Sequence, residues 1–342
     1  MEPEPTPTPP RWLDGLESAA LRAMHPAVGE YVRTGSYFGD SADEALDSWR
    51  ALRFRPRVLR GGGEPDLATT LLGTVVPSPV AVAPTAMQRA IHPGGEREMA
   101  AGIEATGSLH VVSSNAGTPF ADIGSGPWWL QAYLPTDRET MLPVLESAVT
   151  AGASAVVLTA DTPFPGTKWA ADAADWTGVD LGWWRVNVPP PHPDAWARDL
   201  TPADVTWLRE RSRVPVVVKG VLRADDALRC LHAGADALWV SNHGGRQLDR
   251  AVSTARALPE VVAAVDDRAE VYVDGGIRSG LDALAALALG ARAVFVGRPP
   301  LYGLAVDGAR GVTRVLTDLV TELREALELA GCATLDEAAD LR

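Results

Sequence analysis

The 342-residue sequence predicts an α/β protein, namely a (β/α)8 TIM barrel with an N-terminal helical extension and an inserted loop after the fourth strand. Two observations predict this fold. Short apolar segments recur eight times, and they lack the polar alternation of a half-exposed strand. Helical patterns lie between most of these segments, and eight strand-then-helix units are typical of a closed parallel barrel. An open doubly wound sheet is the alternative, but it usually has fewer strands.

The eight predicted strands are rich in Val, Ala and Leu. They begin near Pro79, Leu109, Trp129, Ser154, Pro215, Ala237, Glu270 and Ala293. The predicted helices cover residues 95–106, 137–151, 203–211, 224–233, 258–265 and 279–288. Asp137 and Ser279 are predicted helix caps, and Pro259 is predicted to lie in a first helical turn.

Several segments lie outside the repeated unit. Residues 1–10 are rich in Pro and Glu and lack the apolar centre of a signal peptide, so we expect a disordered tail before a single domain over 11–342. Residues 11–70 are predicted to form the helical extension. Residues 164–200 form the insert and contain five of the 11 Trp residues. This insert is either a small packed subdomain or a lid over the barrel mouth, and both interpretations stay open.

Composition excludes several classes of function. A formal net charge of −13 disfavours nucleic acid and anionic lipid as partners. No apolar run approaches the roughly 18 residues of a membrane span, and two Cys are too few for a disulfide framework or a zinc cluster. We therefore predict a cytoplasmic protein without a metal site. Lys168 and Lys219 are the two lysines among 31 basic residues, so each is a candidate for a position that needs a compact ammonium.

The predicted strands end in polar or Gly-rich residues, and active sites of this fold lie at the C-terminal ends of the strands. These polar residues are Thr85, Ser113, Gln131, Tyr133, Thr159, Asp161, Lys219, Ser241, Asp274 and Arg298. Because every strand contributes, the pattern predicts a large polar ligand. The Gly-rich turns DGGIRSG (274–280) and VGRP (296–299) each carry an Arg, which predicts that they bind a phosphate group through backbone N–H groups.

The predicted chemistry lies in the segment SNHGGRQLD at 241–249. His243 and Arg246, three residues apart, can place a base and a carboxylate-binding group on one substrate. We expect Asp161 to orient His243, and Lys219 to stabilise negative charge on a cofactor ring. The remaining histidines are predicted to be ordinary surface or core residues, and these are His25, His92, His110, His192 and His232.

These motifs resemble the FMN-dependent family that oxidises 2-hydroxy acids, which includes glycolate oxidase, lactate oxidase and mandelate dehydrogenase. The resemblance runs from about Tyr31 to the C-terminus, and SNHGGRQLD is its most specific part. Further matching motifs are APTAMQ (83–88), HPGGE (92–96), LTADTP (158–163), VKGV (218–221) and DGGIRSG (274–280). The resemblance implies FMN across the barrel mouth, held by Pro84, Thr85, Ala86, Ser113, Gln131, Thr159, Lys219, Ser241, Asp274, Gly276, Arg278, Gly297 and Arg298.

The resemblance also implies the catalytic residues. Arg246 and Tyr31 would hold the substrate carboxylate, Tyr133 would contact the hydroxyl group, and His243, held by Asp161, would remove a proton. The implied reaction converts an (S)-2-hydroxy acid to the 2-oxo acid, by hydride transfer to the flavin or through a carbanion. Oxygen is the expected final electron acceptor, and by analogy with the family the chain is expected to form a homo-oligomer, a tetramer.

The sequence departs from the family pattern on the substrate side. Asn115 stands where many members have an aromatic residue, and Thr167 and Lys168 stand where many have two arginines. Asn115 and Lys168 are therefore predicted to contact the substrate, and the Trp-rich insert predicts a bulky aromatic or apolar 2-hydroxy acid. Two alternatives stay open. One is a sibling flavin chemistry, either oxidation of an amine or a biosynthetic intermediate or an isomerisation, and the other is a non-catalytic flavin-binding protein.

Overall fold

The structure is a computed structural model that describes residues 11–61, 63–190 and 196–342. Its helices are α1 (Trp12–Ala23), α2 (Pro26–Arg33), α3 (Asp40–Arg50), α4 (Gln88–Ile91), α5 (Gly95–Glu104), α6 (Leu142–Thr150), α7 (Trp169–Asp172), α8 (Pro202–Ser212), α9 (Ala224–His232), α10 (Thr254–Val265), α11 (Gly280–Ala288) and α12 (Arg298–Ala330). Its strands are β1 (Thr69–Leu71), β2 (Thr74–Val76), β3 (Val80–Val82), β4 (His110–Ser113), β5 (Trp128–Ala132), β6 (Val156–Thr159), β7 (Val216–Val221), β8 (Ala237–Val240), β9 (Glu270–Val273) and β10 (Ala293–Val296). The predicted tail at 1–10 and His192 lie outside the described residues.

Strands β3 to β10 pair in parallel in chain order, and β10 pairs with β3 to close a barrel. Each of these strands coincides with one of the eight predicted segments, so the predicted (β/α)8 fold is confirmed. Helices surround the barrel, which buries the strands on both faces and explains why their sequences lack polar alternation.

Large aromatic side chains fill the inside of the barrel. Trp129, Trp239, Tyr272 and Phe295 are all fully buried there, with the Trp239 and Phe295 ring centroids 3.9 Å apart. Small alanine side chains from neighbouring strands leave room for these rings. The interior is therefore a packed core, and a ligand has to bind at one end of the barrel.

The antiparallel hairpin of β1 and β2 covers the N-terminal end of the barrel. Leu71 and Val76 pack into the interior cluster, and the backbone N–H of Leu72 donates to the Glu270 carboxylate at 3.2 Å. The two turn residues, Leu72 and Gly73, both have positive φ, as a tight hairpin turn requires. The C-terminal end of the barrel therefore remains for a ligand. The prediction of helix throughout 11–70 is wrong beyond Arg50, where irregular chain and this hairpin follow.

Two of the three predicted helix-start features are confirmed. Asp137 accepts a hydrogen bond from the N–H of Glu139, and Ser279 accepts one from the N–H of Asp282, each at 3.2 Å. The prediction for Pro259 is wrong, because α10 begins at Thr254 and places this proline in its interior. The helix extends this far because its buried face already begins with the residues before the proline.

The insert at 164–200 packs on the loops at the C-terminal end of the barrel. Trp176 lies 6.2 Å from the Tyr31 ring, and Trp169 lies 5.7 Å from the Tyr37 ring. Most of its described Trp residues thus form contacts between the insert and neighbouring segments. In the described ranges, no helix is both long enough and apolar enough to span a membrane.

Candidate active site

A cavity opens at the C-terminal end of the barrel, where small-molecule and cofactor sites of this fold lie. Sixteen predicted site residues line it: Tyr31, Pro84, Thr85, Ala86, Ser113, Gln131, Tyr133, Thr159, Lys219, His243, Arg246, Asp274, Gly276, Arg278, Gly297 and Arg298. Parallel strands that close into a barrel bring their C-terminal ends together, so residues far apart in the sequence meet here.

His243 is held by the end of β6. Its Nδ1 lies 3.1 Å from Asp161 Oδ1 and 3.3 Å from the Thr162 hydroxyl, which leaves Nε2 available to the cavity. The backbone of His243 has φ +58°, in the left-handed region, and its N–H donates to Ser241 Oγ at 3.0 Å. Non-glycine residues in this conformation concentrate at functional sites, because the surrounding structure has to hold them there.

The environment of His243 keeps its imidazole neutral near pH 7. Burial lowers the pKa of His243, and the positive charges of Lys219 and Arg246 lower it further, whereas Asp161 raises it. Burial alone would raise the pKa of Asp161, but its interaction with His243 and the charge of Lys219 hold that pKa below its usual value. The pair therefore consists of a neutral imidazole and a carboxylate, the state in which a histidine can accept a proton.

Two tyrosines face the cavity beside Arg246. Burial raises the pKa of Tyr133, and the negative charge of Asp161 raises it further, so its hydroxyl stays protonated and can donate a hydrogen bond. The Arg246 guanidinium carbon lies 4.6 Å from the centroid of the Tyr31 ring. Nη1 of Arg246 donates to the backbone carbonyls of Tyr31 at 2.6 Å and Thr34 at 2.8 Å. The Arg246 side chain therefore helps to place Tyr31 at the cavity.

Lys219 is almost fully buried at the end of β7. Its ammonium donates to Ser241 Oγ at 2.9 Å and lies 3.4 Å from the Asp274 carboxylate, which also accepts a hydrogen bond from the Ser241 hydroxyl. Ser241 thus lies behind Lys219 and orients it. On the preceding strands, Gln131 of β5 links the polar ends of its two neighbours, accepting from Ser113 of β4 and donating to Thr159 of β6, each at 2.9 Å.

The arginines of the cavity fit an anionic ligand. Arg246, Arg278 and Arg298 form no salt bridge with any carboxylate in the described part of the chain. Burial lowers the pKa of Arg278, and burial together with the charges of Arg246 and Arg278 lowers the pKa of Arg298 to about 9. Such cations need compensating negative charge. Beside them, Gly276 has φ +85°, a conformation in which glycine brings backbone N–H groups close to a phosphate. The residues present therefore fit FMN.

Two predicted substrate contacts do not line this cavity. Lys168 is buried, donates to the Gly166 carbonyl at 2.7 Å, and has its pKa lowered to about 8 by burial and by the charge of Arg246. Asn115 is also buried, and its Oδ1 accepts a hydrogen bond from Arg185 Nε at 3.1 Å. Asn115 lies in the loop after β4 and Lys168 in the insert, and side-chain direction in such irregular segments follows no period, so the sequence predicted neither orientation. Arg185 was also not predicted, since its one visible signal in the sequence is its place in the Trp-rich insert.

A protein-family model described as FMN-dependent dehydrogenase matches residues 20–183 and 184–341 of the chain. The chain belongs to this FMN-dependent family. A 2-hydroxyacid oxidase of Mus musculus is 35% identical, over 94% of this chain and 92% of its own length. An L-lactate oxidase of Nostoc sp. is 40% identical, over 94% of each chain. A solved mandelate oxidase variant with (S)-mandelic acid is 36% identical, with a TM-score of 0.91 over 96% of this chain and 97% of its own.

Membership in the FMN-dependent dehydrogenase family confirms three predictions from the sequence. FMN is the cofactor, the chain is an oxidoreductase, and 2-hydroxy acids are the substrate class. The roles of individual residues stay predictions. Asp161 holds His243 and Ser241 holds Lys219, and these contacts indicate how each of the two would perform its role.

We predict that Arg278→Met weakens FMN binding by about 10- to 100-fold, the loss of roughly 1.5–3 kcal/mol expected for a hydrogen bond to a charged group. Riboflavin lacks the phosphate, so its affinity is expected to change little. Fluorescence titration of the apoprotein with each flavin measures both affinities. Arg250→Met, at an exposed arginine paired with Asp40, is the matched control. An equal loss for both flavins would contradict a phosphate-binding role for Arg278.

Proposed function

We propose that this chain oxidises an (S)-2-hydroxy acid to the 2-oxo acid and passes the electrons to oxygen. The observation that carries the proposal is that a neutral His243, paired with Asp161, faces the same cavity as the cationic Arg246. A base and a carboxylate-binding group on one cavity suit a substrate with a hydroxyl group next to a carboxylate. The names of the relatives, 2-hydroxyacid oxidase and L-lactate oxidase, support both the substrate class and oxygen as acceptor.

The proposed mechanism assigns a role to each group around the substrate. Arg246 and Tyr31 bind the carboxylate, which fixes the position of the neighbouring carbon. Tyr133, protonated, donates a hydrogen bond to the substrate hydroxyl. His243 accepts a proton through Nε2, and Asp161 stabilises the imidazolium that forms. FMN, when bound, supplies the two-electron acceptor. Proton loss from the hydroxyl group and proton loss from the carbon are both compatible with these positions.

The test of this function is the anaerobic visible spectrum of the FMN-loaded protein during titration with 2-hydroxy acids from glycolate to mandelate. We expect at least one acid to bleach the flavin absorption, because oxidation of the substrate reduces the cofactor. Admission of air should then restore the absorption, with formation of hydrogen peroxide. If no acid bleaches the bound flavin, the proposed substrate class is wrong, and if air fails to restore the colour, oxygen is not the acceptor.

The His243–Asp161 pair predicts the pH dependence of this reaction. Because the pKa of His243 is lowered from its ordinary value of about 6.5, kcat/KM should be flat above that pH and fall only at lower pH. Asp161→Asn removes the charge that raises this pKa, so the acid limb should move to lower pH. It also removes the charge that stabilises the imidazolium, so the plateau should fall by about 10²- to 10⁴-fold.

Steady-state kcat/KM between pH 4.5 and 8 measures both effects. Asp225→Asn, at an exposed aspartate away from the cavity, is the control, and we expect its profile to match that of the parent enzyme. An acid limb that moves to higher pH in Asp161→Asn would contradict the proposed electrostatic coupling.

We also propose that the chain forms a homo-oligomer through an aromatic patch of Tyr37, Phe38 and Trp169. Phe38 is 69% exposed and Trp169 is 51% exposed, and their rings lie 5.2 Å apart. Contiguous exposed aromatic side chains are typical of interaction surfaces. Phe38→Asp should give a smaller species in sedimentation velocity, whereas Leu329→Asp, at an 83% exposed leucine on α12, should not. Unchanged sedimentation of both variants would contradict this interface. The cytoplasmic location and the lid role of 164–200 stay predictions.

A further inference from the structure

We propose that Arg185 makes the enzyme select 2-hydroxy acids that carry a second anionic group at the far end of the side chain. The substrate class would then be a 2-hydroxy dicarboxylic acid, or an acid of the same length with another terminal anion. This inference rests on the proposed function. It replaces the bulky apolar substrate that the Trp-rich insert predicts with one whose far end is charged.

Arg185 lies in the layer of residues behind the cavity wall. Its Nε donates to Asn115 Oδ1 at 3.1 Å, and the backbone N–H of Asn115 donates to the cavity residue Ser113 at 3.1 Å. The Arg185 guanidinium carbon also lies 4.4 Å from the ring centroid of Trp196, which itself packs 5.2 Å from the ring of Tyr133. Asn115 thus separates the guanidinium from Ser113, and Trp196 separates it from Tyr133.

Tyr133 joins the proposed substrate site to the surroundings of Arg185. In the proposed mechanism, the substrate carboxylate lies on Arg246 and the hydroxyl group on Tyr133. Tyr133 is close enough to Arg246 for that charge to act on its pKa, and its ring packs against Trp196. We place the substrate side chain along this part of the cavity wall, so that its far end is directed toward Trp196 and Arg185.

The charge of Arg185 has no acidic partner among the described residues. Burial lowers the pKa of its guanidinium, and no carboxylate of residues 11–61, 63–190 or 196–342 forms a salt bridge with it. The contacts made by Arg185 are a neutral amide and the faces of two Trp rings, Trp196 and Trp184 at 5.9 Å. The guanidinium retains N–H groups on its edge, and a carboxylate is the group that accepts from them best.

The experiment compares two substrates of equal size on the FMN-loaded enzyme. 2-Hydroxyglutarate ends in a carboxylate, and 2-hydroxy-5-methylhexanoate has an isopropyl group in its place. Anaerobic stopped-flow measurement of flavin reduction gives the limiting rate and the Kd for each. We expect the parent enzyme to prefer the dicarboxylate by about 10-fold or more in the ratio of rate to Kd, as a charge-assisted hydrogen bond implies.

Three variants test the role of Arg185. Arg185→Gln should remove the preference while leaving the isopropyl substrate within about threefold of the parent enzyme, and Arg185→Lys, which keeps the charge, should retain part of the preference. Arg198→Gln is the matched control, because Arg198 belongs to the same insert and its guanidinium lies 5.1 Å from the Phe164 ring. The hydrogen bond to Asn115 and the cation–π contact with Trp196 belong to Arg185. We expect Arg198→Gln to keep the full preference.

A second measurement does not depend on turnover. Glutarate and 5-methylhexanoate lack the hydroxyl group, so they can bind without being oxidised, and their binding is followed by the change in flavin absorption. We expect glutarate to bind more tightly in the parent enzyme and to lose this advantage in Arg185→Gln. If no 2-hydroxy acid reduces the flavin, the proposed function fails, and glutarate binding still decides the role of Arg185.

Two results would overturn the inference. In the first, Arg185→Gln lowers the rates and affinities for both substrates equally, which is the behaviour of a residue that only holds Asn115 and Trp196 in place. In the second, the parent enzyme binds the isopropyl compounds as well as, or better than, the dicarboxylates.

Discussion

The structure depends on guanidinium groups that join the N-terminal extension to the barrel. Arg246, beyond β8, and Arg298, beyond β10, donate to the backbone carbonyls of residues 31–34. These carbonyls belong to the end of α2, where a helix has no backbone donors left and carries partial negative charge. The same two arginines face the cavity. One set of side chains therefore anchors the extension, places Tyr31 and provides positive charge for the ligand.

The positive charge in the cavity also affects the pKa of His243, the proposed base. Lys219 and Arg246 lower the pKa of His243, and Asp161 opposes them. A bound substrate carboxylate adds negative charge beside Arg246, and nearby negative charge raises the pKa of an imidazole. We therefore expect His243 to become a stronger proton acceptor once substrate is present. The free enzyme keeps the imidazole neutral, and the complex gives it a greater affinity for the proton.

Much of this arrangement follows from the sequence, because strand ends in a closed barrel must meet. Apolar segments mark the strands, so the polar residues after them, such as Thr159 and Lys219, can be assigned to one cavity by their positions in the chain. Prediction from the sequence fails where the residues show no regular hydrophobic period. Residues 51–70 read as part of a helical extension, yet irregular chain leads there to a hairpin whose Leu71 and Val76 fill the open end of the barrel interior. Pro259 reads as a helix start, yet α10 continues through it. Burial of the apolar face of α10 stabilises the helix by more than the loss of the one backbone hydrogen bond that proline cannot make.

The contact between Asn115 and Arg185 shows the same limit. The sequence shows that Asn115 follows a strand, but its partner Arg185 lies 70 residues further along the chain, in a segment of the insert without regular structure. At both ends of the proposed substrate path a guanidinium lies over an aromatic ring, Arg246 over Tyr31 and Arg185 over Trp196. Such a contact contributes about 0.5–2 kcal/mol, less than the several kcal/mol that desolvation of a cation costs. The ring occupies one face of the guanidinium. Backbone carbonyls beside Arg246 and the Asn115 amide beside Arg185 accept from only part of its edge, so at each end the remaining cost favours a bound carboxylate.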